Sequence, residues 1–581
     1  MQASVARGFV VRRFEGRSVP ALLANSAARF PQRRFLRVVD PAAPQHAPEE
    51  ITFAGFAARV RAAAGFLRSR GVGPGERVLL LSENSPDWQV FAIAAQALRA
   101  EPVALFANLD PLPAQDAARR AGARVAFVSG PAQWAKIAPA AEGLRCVVAP
   151  QKLEASIESV TIEEALRAPG LDLDDLARAV TPQDPFLLLF TSGTTGRNKG
   201  VRVAQGGFLR AVEAGWALTA ATPEDDALMF LPYAHIAGQA LFHTALGVGH
   251  GLIHVARRDD IQRGFELGPT YVLSVPLIYE RIAASFEEQL AQKPGPVRKL
   301  VGAALEAAAR VRCDGSTSAL DGLLCRLSDA LVGKKLRAKL GGRLRALFAG
   351  AAPTPPSLFR FFESLGIGYV EIYGMSETSA FIAGNRISDR RVSGSVGRPS
   401  EDVEIALDDD GEICIRGPML MTGYLEKWDE QGCYTPEGYF RTGDLGEWDA
   451  EGRLRIVGRK KNLFVLSTGK KVSPEPIELA MCSGPPIHGA ILCGDGCAFL
   501  CVGVFVPLTE LQRLGTSVED ALLSVVRDRL SAFSEHEKPK RLFAIAGAPQ
   551  DHAHILTPTF KVKRQAFLDW RRDDLTRIYQ G

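Results

Sequence analysis

The sequence predicts an α/β protein with a large N-terminal domain of several subdomains built on parallel sheets, a small β-rich subdomain, and a small C-terminal α/β domain. Three observations predict the architecture. Strand-like apolar runs alternate with helix-period segments from residue 20 onwards. Short β-like pieces with turn punctuation replace them after about residue 390. A polar, lysine-rich stretch then separates a second, smaller α/β segment.

Taken in order, Phe53, Phe56, Val60, Ala64 and Phe66 fall on one helical face. Arg77–Ser82 reads as a strand, Trp88–Ala100 as a helix, and Pro102–Phe106 as a second apolar strand. The strand pattern returns at Val125–Ser129, Phe186–Phe190 and Tyr369–Tyr373. Gln239–Val255 is the most apolar run, but His243, His250, His254 and its glycines make it a buried helix and strand rather than a membrane span. Gly411–Arg416 and Leu454–Val457 are β pieces, with a turn at Asp449–Gly452 between them. At Gly458 the chain enters Arg459-Lys460-Lys461-Asn462, where the domain boundary is placed: residues 1–458, then 459–581, about 120 residues and a common domain size.

Hydrophobic residues are 46% and charged residues 23% of the 581, which excludes a mostly disordered chain, a coiled coil or a collagen-like fibre. The net charge of +4 is slight for this length and argues against a nucleic-acid partner. Nine scattered cysteines imply no disulfide framework, and a reducing, cytoplasmic compartment is expected. Met1–Gly16 carries arginines without an apolar core after them, so no secretory signal is expected.

The strongest local signal is Phe190-Thr191-Ser192-Gly193-Thr194-Thr195-Gly196-Arg197-Asn198-Lys199-Gly200. An apolar strand runs into hydroxyls, glycines and one lysine. Glycines let backbone amides approach an anion, hydroxyls add donors, and Lys199 supplies a mobile charge, as a polyphosphate requires. The spacing departs from a Walker loop. In Tyr373-Gly374-Met375-Ser376-Glu377-Thr378, Glu377 could ligate Mg²⁺ and Tyr373 could stack on a nucleobase; helix capping by Ser376 or Thr378 is the plainer alternative. Asp444, in Tyr439–Asp444, suits a ribose diol, although Thr-Gly-Asp alone is a common turn. A further lysine cluster lies at Leu556–Arg564.

In this order and spacing the segments closely resemble the acyl-adenylate-forming superfamily, which includes acyl-CoA synthetases, firefly-type luciferases and peptide-synthetase adenylation domains. The resemblance runs from about residue 20 to 570. Leu231–Gly238 is similar to the family's "LPxxH" segment, Ala349–Pro353 to its "GGAP", Gly394–Pro399 to its "GxxGxP", and Gly411–Tyr424 to the segment that follows.

The resemblance implies roles residue by residue. Thr191, Ser192, Gly193, Thr194, Thr195, Gly196 and Lys199 would hold the ATP β- and γ-phosphates. Gly350, Ala351, Ala352, Tyr373 and Gly374 would line the adenine site. Glu377 would ligate Mg²⁺, Thr378 contact the α-phosphate, and Asp444 and Arg459 bind ribose. Lys461 takes the hinge position and Lys561 that of the mobile-domain lysine used in adenylation. Gly469 lies in the loop beside the pantetheine channel, and His235 could gate the acyl channel or be a satisfied core histidine. The implied chemistry is attack of a carboxylate on ATP, giving acyl-adenylate and pyrophosphate, followed by displacement of AMP by a thiol, usually of coenzyme A.

Val332–Arg345, Ser274–Glu280, Gly458–Asn462 and Val472–Glu478 resemble the bacterial long-chain branch, as does Phe560 where smaller-acid members carry glycine. The expected substrate is therefore a medium- or long-chain fatty acid, with coenzyme A or an acyl carrier protein as acceptor. Asn198, Tyr233, Leu277 and Ala351 depart from the usual residues without removing a needed chemical group, and they leave the acyl specificity open. A fatty acyl-AMP ligase would carry an insertion, and none is seen between Arg398 and Lys461. A non-catalytic paralogue should have lost Glu377, Asp444 or Lys561, and has not. Cys493-x3-Cys497-x3-Cys501 lacks a fourth ligand and reads as a hairpin with structural cysteines. The basic stretch 298–345 could touch acidic lipid headgroups, a weak peripheral contact, or could simply be a solvated helical face.

Overall fold

Three sheets carry the N-terminal domain, each made by the apolar runs that the sequence marks out. The computed structural model describes residues 8–40, 46–191, 198–515, 518–556 and 562–580. The first sheet has eight strands, in the order Gly423–Tyr424, Lys199–Ala204, Pro185–Thr191, Glu101–Leu105, Arg77–Leu81, Val125–Val128, Cys146–Ala149 and Glu158–Thr161. It is parallel from Pro185–Thr191 onwards, and Lys199–Ala204 and Gly423–Tyr424 are added antiparallel at one edge.

The second sheet has nine strands, with Gly368–Met375, Ala346–Ala349, Tyr271–Ser274, Asp226–Met229, Gly251–Val255 and Arg34–Val39 running parallel side by side. Ala380–Gly384 and Arg398–Pro399 close one edge antiparallel, and Glu49–Thr52 the other. Both sheets are Val/Leu/Phe-rich and buried on both faces, as parallel sheets with helical cover must be.

Helices Pro86–Ala97 and Ile236–Val248 are buried almost all round, the mark of central helices rather than surface ones. Ser85 caps the first through its side chain, accepting from Trp88 N–H. Pro86 at its first turn and Arg99 at φ +59° after its end start this helix two residues earlier and end it three residues earlier than the periodicity alone suggests. The run Gln239–Val255 divides into helix and strand as its histidines and glycines require, with Gly249 in the left-handed conformation at the helix end.

The third sheet is antiparallel: Glu404–Leu407, Glu412–Arg416, Phe440–Trp448 and Leu454–Arg459. Its last strand runs one residue past Gly458 because Gly458 and Arg459 pair with Leu445 and Asp444. The smaller C-terminal domain follows. A hairpin, Gly489–Cys493 with Cys501–Val506, is joined by the parallel strand Arg541–Ala546 and covered by helices Pro474–Met481, Val518–Arg529, Arg564–Trp570 and Arg572–Gln580. Cys493 and Cys501 face each other across the hairpin, all nine cysteines are free, and no group of three metal-ligating side chains forms among the described residues.

Candidate active site

The C-terminal ends of Pro185–Thr191, Ala346–Ala349 and Gly368–Met375 deliver the sequence-predicted residues, the place where open α/β sheets bind ligands. Two chains of side-chain contacts form there. In the first, the Tyr373 hydroxyl donates to Asp444 Oδ2 at 2.8 Å and Arg459 Nε donates to Asp444 Oδ1 at 2.7 Å. Asp444 and Arg459 are cross-strand partners, so the antiparallel register brings them together. Burial and the Asp444 carboxylate push the Tyr373 phenol far above its usual range. Burial works against the Arg459 charge, but Asp444 more than restores it and the guanidinium is held more firmly protonated.

In the second chain, the Tyr424 hydroxyl donates to Glu377 Oε1 at 3.0 Å, and Lys199 Nζ lies 4.8 Å from the Tyr424 ring centre. Lys199 also donates to the Asp429 carbonyl at 3.3 Å. Burial pushes the Glu377 carboxyl up, with the Tyr424 hydroxyl and Arg459 pulling the other way. Glu377 Oε2 has no side-chain partner among the described residues. One half-buried carboxylate with an oxygen that has no side-chain partner among the described residues fits Mg²⁺, which takes one or two carboxylates and fills its shell with water and phosphate oxygens.

Arg459 and Asp444 of the first chain act electrostatically on Glu377 of the second, and Arg459 also lines an open cleft of about 340 Å³ with Thr442, Gly443, Lys460 and Lys461. Of its cations, Arg459 is paired with Asp444 and Lys460 with Glu412, so their charged groups are held in place at the cleft. The loop after Gly368–Met375 is tight: Gly374 has no room for a side chain, since a Cβ would stand 1.7 Å from the Ala380 carbonyl oxygen. Ser379 and Ala380 sit at φ +59° and +126°. Met375 N–H donates to Thr378 Oγ1 at 3.0 Å, and the Thr378 hydroxyl lies 3.1 Å from the Ala380 carbonyl oxygen. Thr378 therefore locks the turn that presents Glu377, the capping role that its residue type allows.

Gly350, Ala351 and Ala352 form the loop that leaves Ala346–Ala349, and Ala351 is held at φ +68°. Thr191 and Lys199 are register partners where Pro185–Thr191 pairs with Lys199–Ala204; Ser192, Gly193, Thr194, Thr195 and Gly196 lie outside the described residues, as does Lys561. His235 caps helix Ile236–Val248, its Nδ1 accepting from Ala237 N–H at 3.2 Å. Gly469, at φ +78°, is at the exposed tip between Phe464–Val465 and Lys471–Val472, away from the Asp444 chain in sequence and sheet.

Tyr424 and Arg120 were not singled out by sequence. Arg120 Nη1 donates to the Asn198 carbonyl at 2.8 Å while its other nitrogens hold Glu426. This arginine fixes the loop end at Asn198. Tyr424 ends the Gly411–Tyr424 segment, and its aromatic character was the available signal; nothing local marks Arg120.

The chain belongs to the AMP-binding enzyme family, whose pattern matches residues 23–425. Among its relatives is the long-chain-fatty-acid–CoA ligase FadD15 of Mycobacterium bovis, 29% identical over 575 residues, covering 91% of this chain and 92% of that protein. Of solved structures, the adenylation domain of a carboxylate reductase from Mycobacterium chelonae is similar with a TM-score of 0.75 at 18% identity, covering 97% of this chain and 91% of that one. ATP-bound MatB from Rhodopseudomonas palustris is similar with a TM-score of 0.69 at 20% identity, over 96% of this chain and 99% of that one. The adenylate-forming fold expected from the motifs is thus the observed one.

Proposed function

We propose that the protein is an ATP-dependent acid–thiol ligase that converts a medium- or long-chain fatty acid to its acyl-adenylate and passes the acyl group to coenzyme A. The observation that carries this reading is the pairing of Tyr373–Asp444–Arg459 with Glu377–Tyr424–Lys199, linked by the charges of Arg459 and Asp444 acting on Glu377, with an open cleft at Arg459. The length over which the long-chain ligase aligns supports the choice of acid.

In this reading Asp444 accepts from the ribose hydroxyls, with Arg459 holding its carboxylate in place. Tyr373 and the 350–352 loop pack on adenine, and Lys199 with Thr191–Gly196 takes the terminal phosphates. Glu377 would hold the Mg²⁺ that accompanies the nucleotide, which supplies positive charge against the phosphates when bound. The acid's carboxylate attacks the α-phosphorus and pyrophosphate leaves; Thr378 shapes the turn beside that phosphate and Lys561 neutralises the meeting anions. A thiolate then attacks the acyl carbon and AMP leaves. Residues 459–581 are assigned as a mobile domain turning about Lys461, with Gly469 beside the thiol channel in the second half-reaction.

The acyl chain runs inward past Ile372, next to Tyr373. A narrow apolar crevice of about 20 Å³ begins there, lined by Gly215, Leu218, Leu241, Phe348 and Phe381 among others. That volume admits no chain until side chains such as Leu218 and Phe381 turn aside. His235, capping the helix that supplies Leu241, would position this wall. Nine free cysteines support placing the protein in the cytoplasm.

The test supplies ATP, Mg²⁺ and a fatty acid with either free coenzyme A or a phosphopantetheinylated carrier protein. Acyl-CoA formed in step with AMP is expected. Loading of the carrier with no product from coenzyme A would replace this reading with that of an acyl-AMP ligase.

A further inference from the structure

The chain's positive charge is not evenly spread. Residues 298–345 hold eleven Lys and Arg against four Asp and Glu, a surplus larger than the +4 of the whole chain, so the remainder is net negative. This stretch folds into helix Gly295–Arg312 packed against Ala319–Ser328, which continues through a π turn, Asp329–Gly333, into Lys334–Lys339.

Arg312 and Lys339 bond to neutral groups, the Ser364 carbonyl and Gln289, and the other nine basic residues divide into two sets. Arg310 holds Asp321, Arg337 holds Asp329, Arg343 holds Asp226 and Arg345 holds Asp225. Arg298, Lys299, Arg326, Lys334 and Lys335 are exposed and make no ion pair among the described residues. The first set holds the helices in place, and the second projects uncompensated charge.

The same two helices carry exposed apolar side chains. Val297 is 42%, Leu300 45%, Leu320 63% and Leu323 64% exposed, four of the ten large hydrophobic residues exposed on the described surface. Leu320, Leu323, Arg326 and Ala330 are all exposed and follow the three-and-four spacing of one helical face. A merely solvated face would carry charge there without leucine. Leucine tips flanked by unpaired Lys and Arg are what an interfacial helix presents to acyl chains and anionic headgroups.

A second copy of the chain is a poor occupant, because a two-fold contact would set this positive surplus against itself. We propose that the helix pair 295–339 is a peripheral docking surface for an anionic lipid bilayer, through Leu320 and Leu323 with Arg298, Lys299, Lys334 and Lys335. No helix among the described residues is long and apolar enough to cross a membrane, so the contact is with one leaflet. The inference deepens the proposed function by naming where a poorly soluble acid is met. Vesicle binding is read without ATP or acid, so its failure and failure of the ligase reading are distinguishable.

The experiment is co-sedimentation of the full chain with vesicles of phosphatidylcholine alone and of phosphatidylcholine with about one-third phosphatidylglycerol, at low and high salt. Binding to the phosphatidylglycerol vesicles only, weakened by salt, is expected. Lys334→Ala/Lys335→Ala should weaken it by roughly fivefold for each lysine removed. Leu320→Gln/Leu323→Gln should weaken it at both salt concentrations, with pyrophosphate exchange unchanged in either variant. Three results would overturn the proposal: no vesicle binding by the parent, variants that bind as the parent does, or a parent dimer that these substitutions separate. The last would make the face a contact between copies.

Discussion

At the residue scale, Asp444 is the most connected group of the site, accepting from Tyr373 on one sheet and Arg459 on another. Replacing it with alanine would remove the acceptor proposed for the nucleotide sugar and leave the half-buried Arg459 guanidinium without its anion. The KM for ATP should rise roughly 10- to 100-fold, the cost of a charge-assisted hydrogen bond, with the order of preference among acids unchanged. Initial rates with ATP varied at fixed acid check this; an unchanged KM would remove Asp444 from the nucleotide site. Ala351 offers an opposite case. At φ +68° an alanine is strained by about 1 kcal/mol, so Ala351→Gly should stabilise the protein by about that amount in thermal or denaturant melts. The family resemblance marked Ala351 as a departure from the usual residue, but the strain needed the backbone. Asp444 and Arg459 were legible as separate motif residues, while their pairing depends on strand register across fifteen positions. Arg120 was not legible, because only the fold brings a helix-end arginine to the Asn198 carbonyl.

At the element scale, the turn after Gly368–Met375 ties a short helical turn to the site through one glycine and one threonine. Gly374→Ala would drive a Cβ into the Ala380 carbonyl and must open the turn. A loss on the order of 3 kcal/mol and of Glu377 presentation is expected, measured by denaturant unfolding and by pyrophosphate exchange together. The same strand carries Glu371, whose side chain accepts from Gly394 N–H at 2.8 Å and whose burial pushes its carboxyl up to about 7. The folded protein therefore holds a proton that the unfolded chain releases. Stability falls as pH rises from the ordinary carboxyl range to about 7, then levels off. Glu371→Gln should flatten that fall and stabilise the protein above pH 7 by on the order of 2–3 kcal/mol, read from melts at pH 5 and pH 8. Strand and helix identities were legible from apolar runs and periodicity. Helix ends were less so, since Pro86 and Ser85 start a helix whose first apolar residue comes later. The polar Glu371 within the buried strand Tyr369–Tyr373 gave no sign of its partner.

At the scale of the whole molecule, the two parallel sheets and the antiparallel one deliver the site, and the C-terminal domain carries residues on either side of Lys561. Ordered motifs made this architecture legible, because those at Thr191, Ala349 and Tyr373 sit where a strand ends. Which strands neighbour one another was not, since the second sheet joins Arg34–Val39 to Gly251–Val255 across more than two hundred residues. If Lys561 acts only while the acid meets ATP, Lys561→Ala should abolish acyl-adenylate formation yet still turn preformed acyl-AMP and coenzyme A into thioester. Equal loss of both half-reactions, followed by separate assays, would make the lysine structural.

The central claim is that one cleft activates a fatty carboxylate on ATP. The most direct measurement is acid-dependent exchange of labelled pyrophosphate into ATP, without coenzyme A, over acids from acetate to long-chain fatty acids. Exchange that requires an acid and strengthens towards medium and long chains is the predicted result. Absence of exchange with every acid, or exchange confined to acids without an alkyl chain, would contradict it.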